Sequence, residues 1–110
     1  MEERERPVKF SNEFIEDLGQ IYTYGLETFG QRRAEQYETF IWRLVYRLNV
    51  DYEMYPECRQ IPTKSKIYRN IIIESHLLLY RITPKQIEVL KAINSRMSIT
   101  KIRSTRSIRL

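Results

Sequence analysis

A chain of 110 residues, 42% hydrophobic and 30% charged, has the size and composition of one globular domain with one modest core. No window approaches the roughly 18 apolar residues of a membrane span, and the charged start "MEERERPVKF" has no apolar leader, so a cytoplasmic protein with no membrane role is expected. The net charge of +5 is carried at one end: from Ser95 onward there are five basic residues and no acid, while the remaining basic and acidic side chains cancel.

In chain order, "VKFS" (Val8 to Ser11) reads as a short strand ending in a helix cap. Phe14, Ile15, Leu18, Ile21, Tyr22 and Gly25 then follow helical spacing. "TFG" (Thr28 to Gly30) breaks the chain, and a second helix is expected from about Gln31 to Asn49. Its stripe is Ala34, Tyr37, Ile41, Leu44, Val45 and Leu48. Two helices joined by so few residues should lie antiparallel. Trp42, Phe40 and Tyr46 fall off the main stripe, which implies either an interface or a wider buried face.

Residues 50–66 have no clear period and contain Pro56, Pro62 and the lone Cys58, so they read as a loop. One cysteine excludes an intrachain disulfide and a cysteine-based zinc site, and a solitary loop thiol is ordinarily inert. No metal or cofactor is expected. After the loop the period shifts towards two. Ile67 to Ile73, His76 to Ile82 and Gln86 to Ile93 are rich in β-branched and aromatic residues and are separated by "ES" and "TPK". Such short connections permit antiparallel pairing. The expected fold is α+β: an N-terminal strand, an antiparallel helical hairpin, then a three-stranded antiparallel meander (β-α-α-β-β-β). The domain should span residues 1–98, with 99–110 as a basic tail.

A sheet packed on a helical hairpin is expected to have one covered and one open face. If Glu74-Ser75 is a two-residue turn, Ile73 faces His76, Ile71 faces Leu78 and Arg69 faces Tyr80, and this set points to the helices. Tyr68, Asn70, Ile72, Leu77, Leu79 and Arg81 would then form the open face. Glu-Ser is a poor tight-turn pair, and a slip of one residue reverses a strand's faces, so those of Arg69 and Arg81 stay open at this point.

The stretch "VKFSNEFIEDLGQIYTYGLETFGQRRAEQY" resembles the opening of the RelE/ParE superfamily of toxins from bacterial type II toxin–antitoxin systems. "YRNIIIESHLLLYRITPKQIEVLKAINSRMS" is similar to its closing sheet, the likeness covering roughly residues 7–98. The resemblance implies a cognate antitoxin and one of two activities. RelE-like members cut messenger RNA on the ribosome without metal, using basic strand residues and a tyrosine or histidine near the C-terminus. Here Arg69, His76, Arg96 and Lys66 are the candidates. However, Leu77 stands where an arginine is expected, Asn94 stands where many relatives carry histidine, and no Tyr or His follows Arg96. ParE-like members instead poison DNA gyrase by binding, which needs a surface but no catalytic set.

The incomplete cleavage set makes the ParE-like, non-enzymatic reading the first one. The alternatives are a ribosome-dependent mRNA endoribonuclease and an inactive relative that binds only antitoxin or nucleic acid. Partners are therefore DNA gyrase, or the ribosome and mRNA, together with an antitoxin bearing an acidic toxin-binding segment. A homodimer or a heterotetramer with antitoxin is the assembly considered. Candidate target- or antitoxin-binding residues are Lys64, Lys66, Tyr68, Arg69, Arg81, Arg96, Lys101, Arg103, Arg106 and Arg109, since a cationic surface attracts nucleic acid or an acidic protein.

Overall fold

Ser11 fixes the start of the first helix. In the computed structural model, which describes residues 5–110, its hydroxyl accepts from the Phe14 N–H at 2.9 Å and caps α1 (Asn12–Phe29). The same hydroxyl donates to the Leu90 carbonyl at 2.7 Å, tying the helix start to the last strand. Part of the charged start, residues 1–4, lies outside the described residues.

Gly30 ends α1 and opens α2 (Gln31–Tyr46) with φ of 91°, a left-handed conformation that glycine adopts without a Cβ penalty. A single linking residue makes the two helices fold back on one another, as their spacing predicts. The second helix is shorter than expected. It stops at Tyr46, and a separate turn, α3 (Leu48–Asp51), follows Arg47.

Three strands then form the antiparallel meander: β2 (Tyr68–Ile73), β3 (His76–Ile82) and β4 (Ile87–Asn94). Ile73 pairs with His76, Ile71 with Leu78 and Arg69 with Tyr80, the register expected for a two-residue turn. Glu74 makes that turn by taking φ of 46°, which non-glycine residues rarely adopt. The N-terminal strand β1 (Val8–Phe10) lies parallel to β4, giving a mixed sheet in the order β1-β4-β3-β2. The register slips by one residue between β3 and β4 beside Leu79 and Tyr80. Beyond that bulge the side-chain alternation of β4 reverses: Ile87, Val89 and Ala92 belong to one core, Leu90 and Ile93 to another.

The first core lies between the helices and the sheet, around Phe14, Leu18, Ile41, Val45, Leu78 and Tyr80. Burying each such side chain contributes about 1.5–3 kcal/mol. At its margin Trp42 packs among Phe10, Phe14 and Tyr46 at centroid distances of 5.1–5.8 Å between ring pairs. Trp42 is therefore half-buried, whereas Phe40 and Tyr46 stay exposed.

The expectation of an open second face is overturned. Tyr68, Asn70, Leu77, Leu79 and Arg81 are all buried, and of that set only Ile72 is exposed, at 67%. The cover comes from two segments whose apolar residues are masked by irregular or charged surroundings. Cys58 and Ile61 come from the loop, and Ile102 from the C-terminal segment, to form a second core with Leu79 and Leu90. Residues 99–110 are thus a packed strap and not a trailing tail. Ser98 caps α4 (Ile99–Arg103), a 3-10 turn (Ser104–Ser107) follows, and Ile102 and Thr105 are buried. Among the described residues, no helix is long and apolar enough to cross a membrane.

Candidate functional site

The residues singled out by sequence fall into four places. At the start of β2, Arg69 spends its guanidinium on backbone carbonyls: Nε donates to Lys66 O at 2.8 Å, and Nη1 to Tyr55 O at 2.8 Å and Glu53 O at 3.2 Å. These bonds hold the loop to the edge strand, where Cys58 N–H donates to Tyr68 O and Asn70 N–H to Pro56 O. Lys66, with φ of 56°, and Lys64 leave their side chains exposed beside it.

On the second face, Arg81 is buried against Tyr68 and Glu88. Its partner acid sits on the neighbouring strand β4, so the ion pair lies within the sheet and does not reach a helix. Nε donates to Glu88 Oε1 at 2.8 Å, Nη1 to the Tyr68 hydroxyl at 3.3 Å, and Nη2 to Ile108 O at 2.9 Å. Burial alone would lower the Arg81 pKa, but the bonds to Tyr68 and Glu88 and the Glu88 charge outweigh it and hold the group charged. Arg81 therefore clamps the strap onto the sheet from within.

At the opposite end of the hairpin, His76 is half-buried, with Nδ1 2.9 Å from the Tyr37 hydroxyl. Burial lowers the His76 pKa, with Glu74 opposing. Burial, reinforced by Glu74, raises that of Tyr37 to about 12. Both groups are thus neutral at neutral pH. They line a cleft of ≈ 430 Å³ between the helical hairpin and the β2–β3 turn, walled by Ile21, Tyr24, Phe29 and Phe40. Arg33 stacks on Phe29 at its rim, 5.0 Å from the ring centre.

The four groups considered for RNA cleavage are therefore not gathered. Arg69 and Lys66 lie at one end of β2 and His76 at the other, where it pairs with Ile73 and Asn94. Four residue steps of strand separate Arg69 from Ile73, about 13 Å. Arg96 follows β4 near the His76 end, with its side chain exposed.

The remaining cations form the outer side of the strap. Lys101, Arg103, Arg106 and Arg109 are exposed, and Arg103 Nε donates to Gln60 O at 3.1 Å, joining strap to loop. Sequence reasoning missed Arg59, which is exposed on that loop, and Tyr37 as the partner of His76. The helical stripe had marked Tyr37 as core, but a contact spanning 39 residues leaves no local signal. Among the described residues, no three His, Cys, Asp or Glu side chains gather where a metal could sit.

Comparison with known proteins agrees with this architecture. No curated protein matches the chain. Among solved structures, one described as the chromosomal ParDE TA system from P. aeruginosa is similar, with 18% identity and a TM-score of 0.68, covering 83% of this chain and 97% of that one. At that identity the likeness speaks for the fold alone. The family described as "ParE toxin of type II toxin-antitoxin system, parDE" matches residues 8–99, which takes in every strand and both long helices. The chain belongs to the ParE toxin family of type II toxin–antitoxin systems.

Proposed function

We propose that this toxin acts by binding DNA gyrase, without a catalytic step of its own, and is neutralised by a cognate antitoxin of the ParD kind. The observation that carries the reading is the dispersal of the would-be cleavage groups. Metal-free transesterification needs a base at the 2′-hydroxyl, cations on the scissile phosphate and an acid for the leaving oxygen, all within hydrogen-bond reach of one substrate. Arg69 is instead consumed by three carbonyls, and His76 stands about 13 Å along the strand, neutral and bonded to Tyr37. The family match over residues 8–99 and the resemblance to a ParDE structure support the class of antitoxin.

Brief expression without antitoxin, following DNA and transcripts together, tests this. Double-strand breaks and gyrase trapped on DNA are expected. Codon-linked cleavage of transcripts, abolished by Arg96→Ala, would overturn the proposal in favour of ribosome-dependent RNA cleavage.

A further inference from the structure

The charge of the molecule is divided by side. Residues 12–51, the helical part, carry seven acidic and four basic side chains. Residues 52–110 carry twelve basic and four acidic ones. Four of those twelve are used internally: Arg81 and Lys91 in ion pairs with Glu88 and Asp17, and Arg69 and Arg103 on backbone carbonyls. Arg59, Lys64, Lys66, Lys101, Arg106 and Arg109 are exposed, and among the described residues no carboxylate pairs with any of them. All six sit on the loop and strap that together cover the second face.

We infer that the outer side of this loop and strap is a docking surface for the phosphate backbone of double-stranded DNA. Its biological setting, DNA held by gyrase, rests on the function proposed above, but the contact itself does not. Three observations select duplex DNA over other anions. First, the surface is preorganised: buried Ile102, the Arg81–Ile108 O bond and the Arg103–Gln60 O bond fix the strap. Repeating phosphates reward fixed cations more than one flexible tail would. Second, after Tyr80 the chain has no aromatic side chain and no histidine. Single strands are gripped by stacking bases on such rings; the strap has none, and of the loop's tyrosines Tyr52 is buried and Tyr55 packs against Tyr80. Short hydroxyl residues, Thr100, Ser104 and Ser107, lie between the cations instead, a composition suited to phosphate oxygens.

Third, a protein partner needs apolar anchors at the centre of its interface. The exposed aromatic residues Tyr24, Phe29, Phe40 and Tyr46 all lie on the helical hairpin. The strap exposes only Ile99 and Leu110 as large apolar groups, and the loop after Asp51 only Met54, so the proposed surface offers no exposed ring. The molecule therefore separates a surface fit for proteins from a surface fit for a polyanion.

The test is fluorescence anisotropy of the purified full chain with a mixed-sequence duplex of about 30 base pairs, titrated with salt, beside a single strand of equal length and polyglutamate. The triple variant Lys101→Gln/Arg106→Gln/Arg109→Gln changes only exposed side chains, and an unchanged thermal midpoint verifies its fold. Duplex should bind more tightly than single strand or polyglutamate. The triple variant should bind at least about 10-fold more weakly at low salt, with the salt slope shallower by about 3, one unit for each lost phosphate contact. Equal binding of duplex by the parent and variant, or tighter binding of single strand or polyglutamate, would overturn the inference. No gyrase is present, so a failure here is separate from a failure to inhibit gyrase. Retained gyrase trapping by a variant that has lost duplex binding would sever the contact from the proposed setting.

Discussion

The two faces of the sheet are built from the same three meander strands, yet they are closed by opposite means. On one side two amphipathic helices lay down a regular stripe, with Phe14, Leu18, Ile41 and Val45 meeting Ile71, Leu78 and Tyr80. On the other, a proline-containing loop and a basic strap supply a few apolar residues each, Cys58, Ile61 and Ile102, and polar bonds do the rest. Arg81 binds Ile108 O, Arg103 joins strap to loop through Gln60 O, and the loop is tied to the edge strand by Cys58 N–H on Tyr68 O and Asn70 N–H on Pro56 O. The difference teaches that a cover can be made without periodicity when each piece is fastened by a buried donor. It also explains the uneven charge, because the irregular cover leaves its long cationic side chains pointing outward while a few small anchors point in.

If the second face is a true core, truncation there should cost as much as on the helical side. Leu79→Ala and Leu78→Ala, on adjacent residues pointing to opposite cores, should each destabilise by about 2–5 kcal/mol in denaturant titrations. A cost for Leu79→Ala under about 1 kcal/mol would restore the open-face picture. A somewhat smaller effect is expected at the clamp. Arg81→Met strands Glu88 in a largely buried position and frees the Ile108 carbonyl. Stability should fall by about 3 kcal/mol, and limited proteolysis should cut within residues 95–110 before anywhere else. Uniform cleavage, or protection equal to the parent, would show that the strap is held by its apolar anchors alone.

The smallest effect belongs to the helical side and is read by pH. The folded-state pKa of His76 is depressed by burial, so its contribution to stability is present above the ordinary histidine value and lost as pH falls through the lower folded value. The groups around it, Tyr37 and Glu74, are a neutral phenol and an opposing carboxylate. Denaturation midpoints should therefore decline from about pH 7.5 to about pH 5, and His76→Gln should flatten that decline. A decline of the same size in the variant would assign it to other groups.

The helical hairpin was legible because its signals are local: Ser11 before Asn12, Gly30 after Phe29, and apolar steps of three and four. The β2–β3 register was legible too, since Ile73 and His76 flank a two-residue turn. Strand β4 shows where local reading ends. A bulge beside Leu90 makes "IEVLKAIN" change faces midway, and no period-two pattern contains that instruction. The strap was obscured for a different reason. Ile102 and Ile108 are set among five cations, so composition suggested a solvated tail while the long-range bond from Arg81, 27 residues away, held it down. Of the candidate site residues, those on the loop and strap kept their exposure. Tyr68 and Arg81 were drawn inward by a cover that sequence had assigned to solvent.

The parallel seating of β1 beside β4 has a consequence for how the chain is made. Val8 cannot find Ile87, nor Ser11 reach Leu90, until 79 further residues have been synthesised. The helices emerge first, with their greasy side facing nothing, and wait for a β-layer that is synthesised only after them. A ribosome halted early would release two helices lacking the surface they were shaped to clasp. Arrival of the sheet, and not gradual accretion, is the step at which this domain acquires its form.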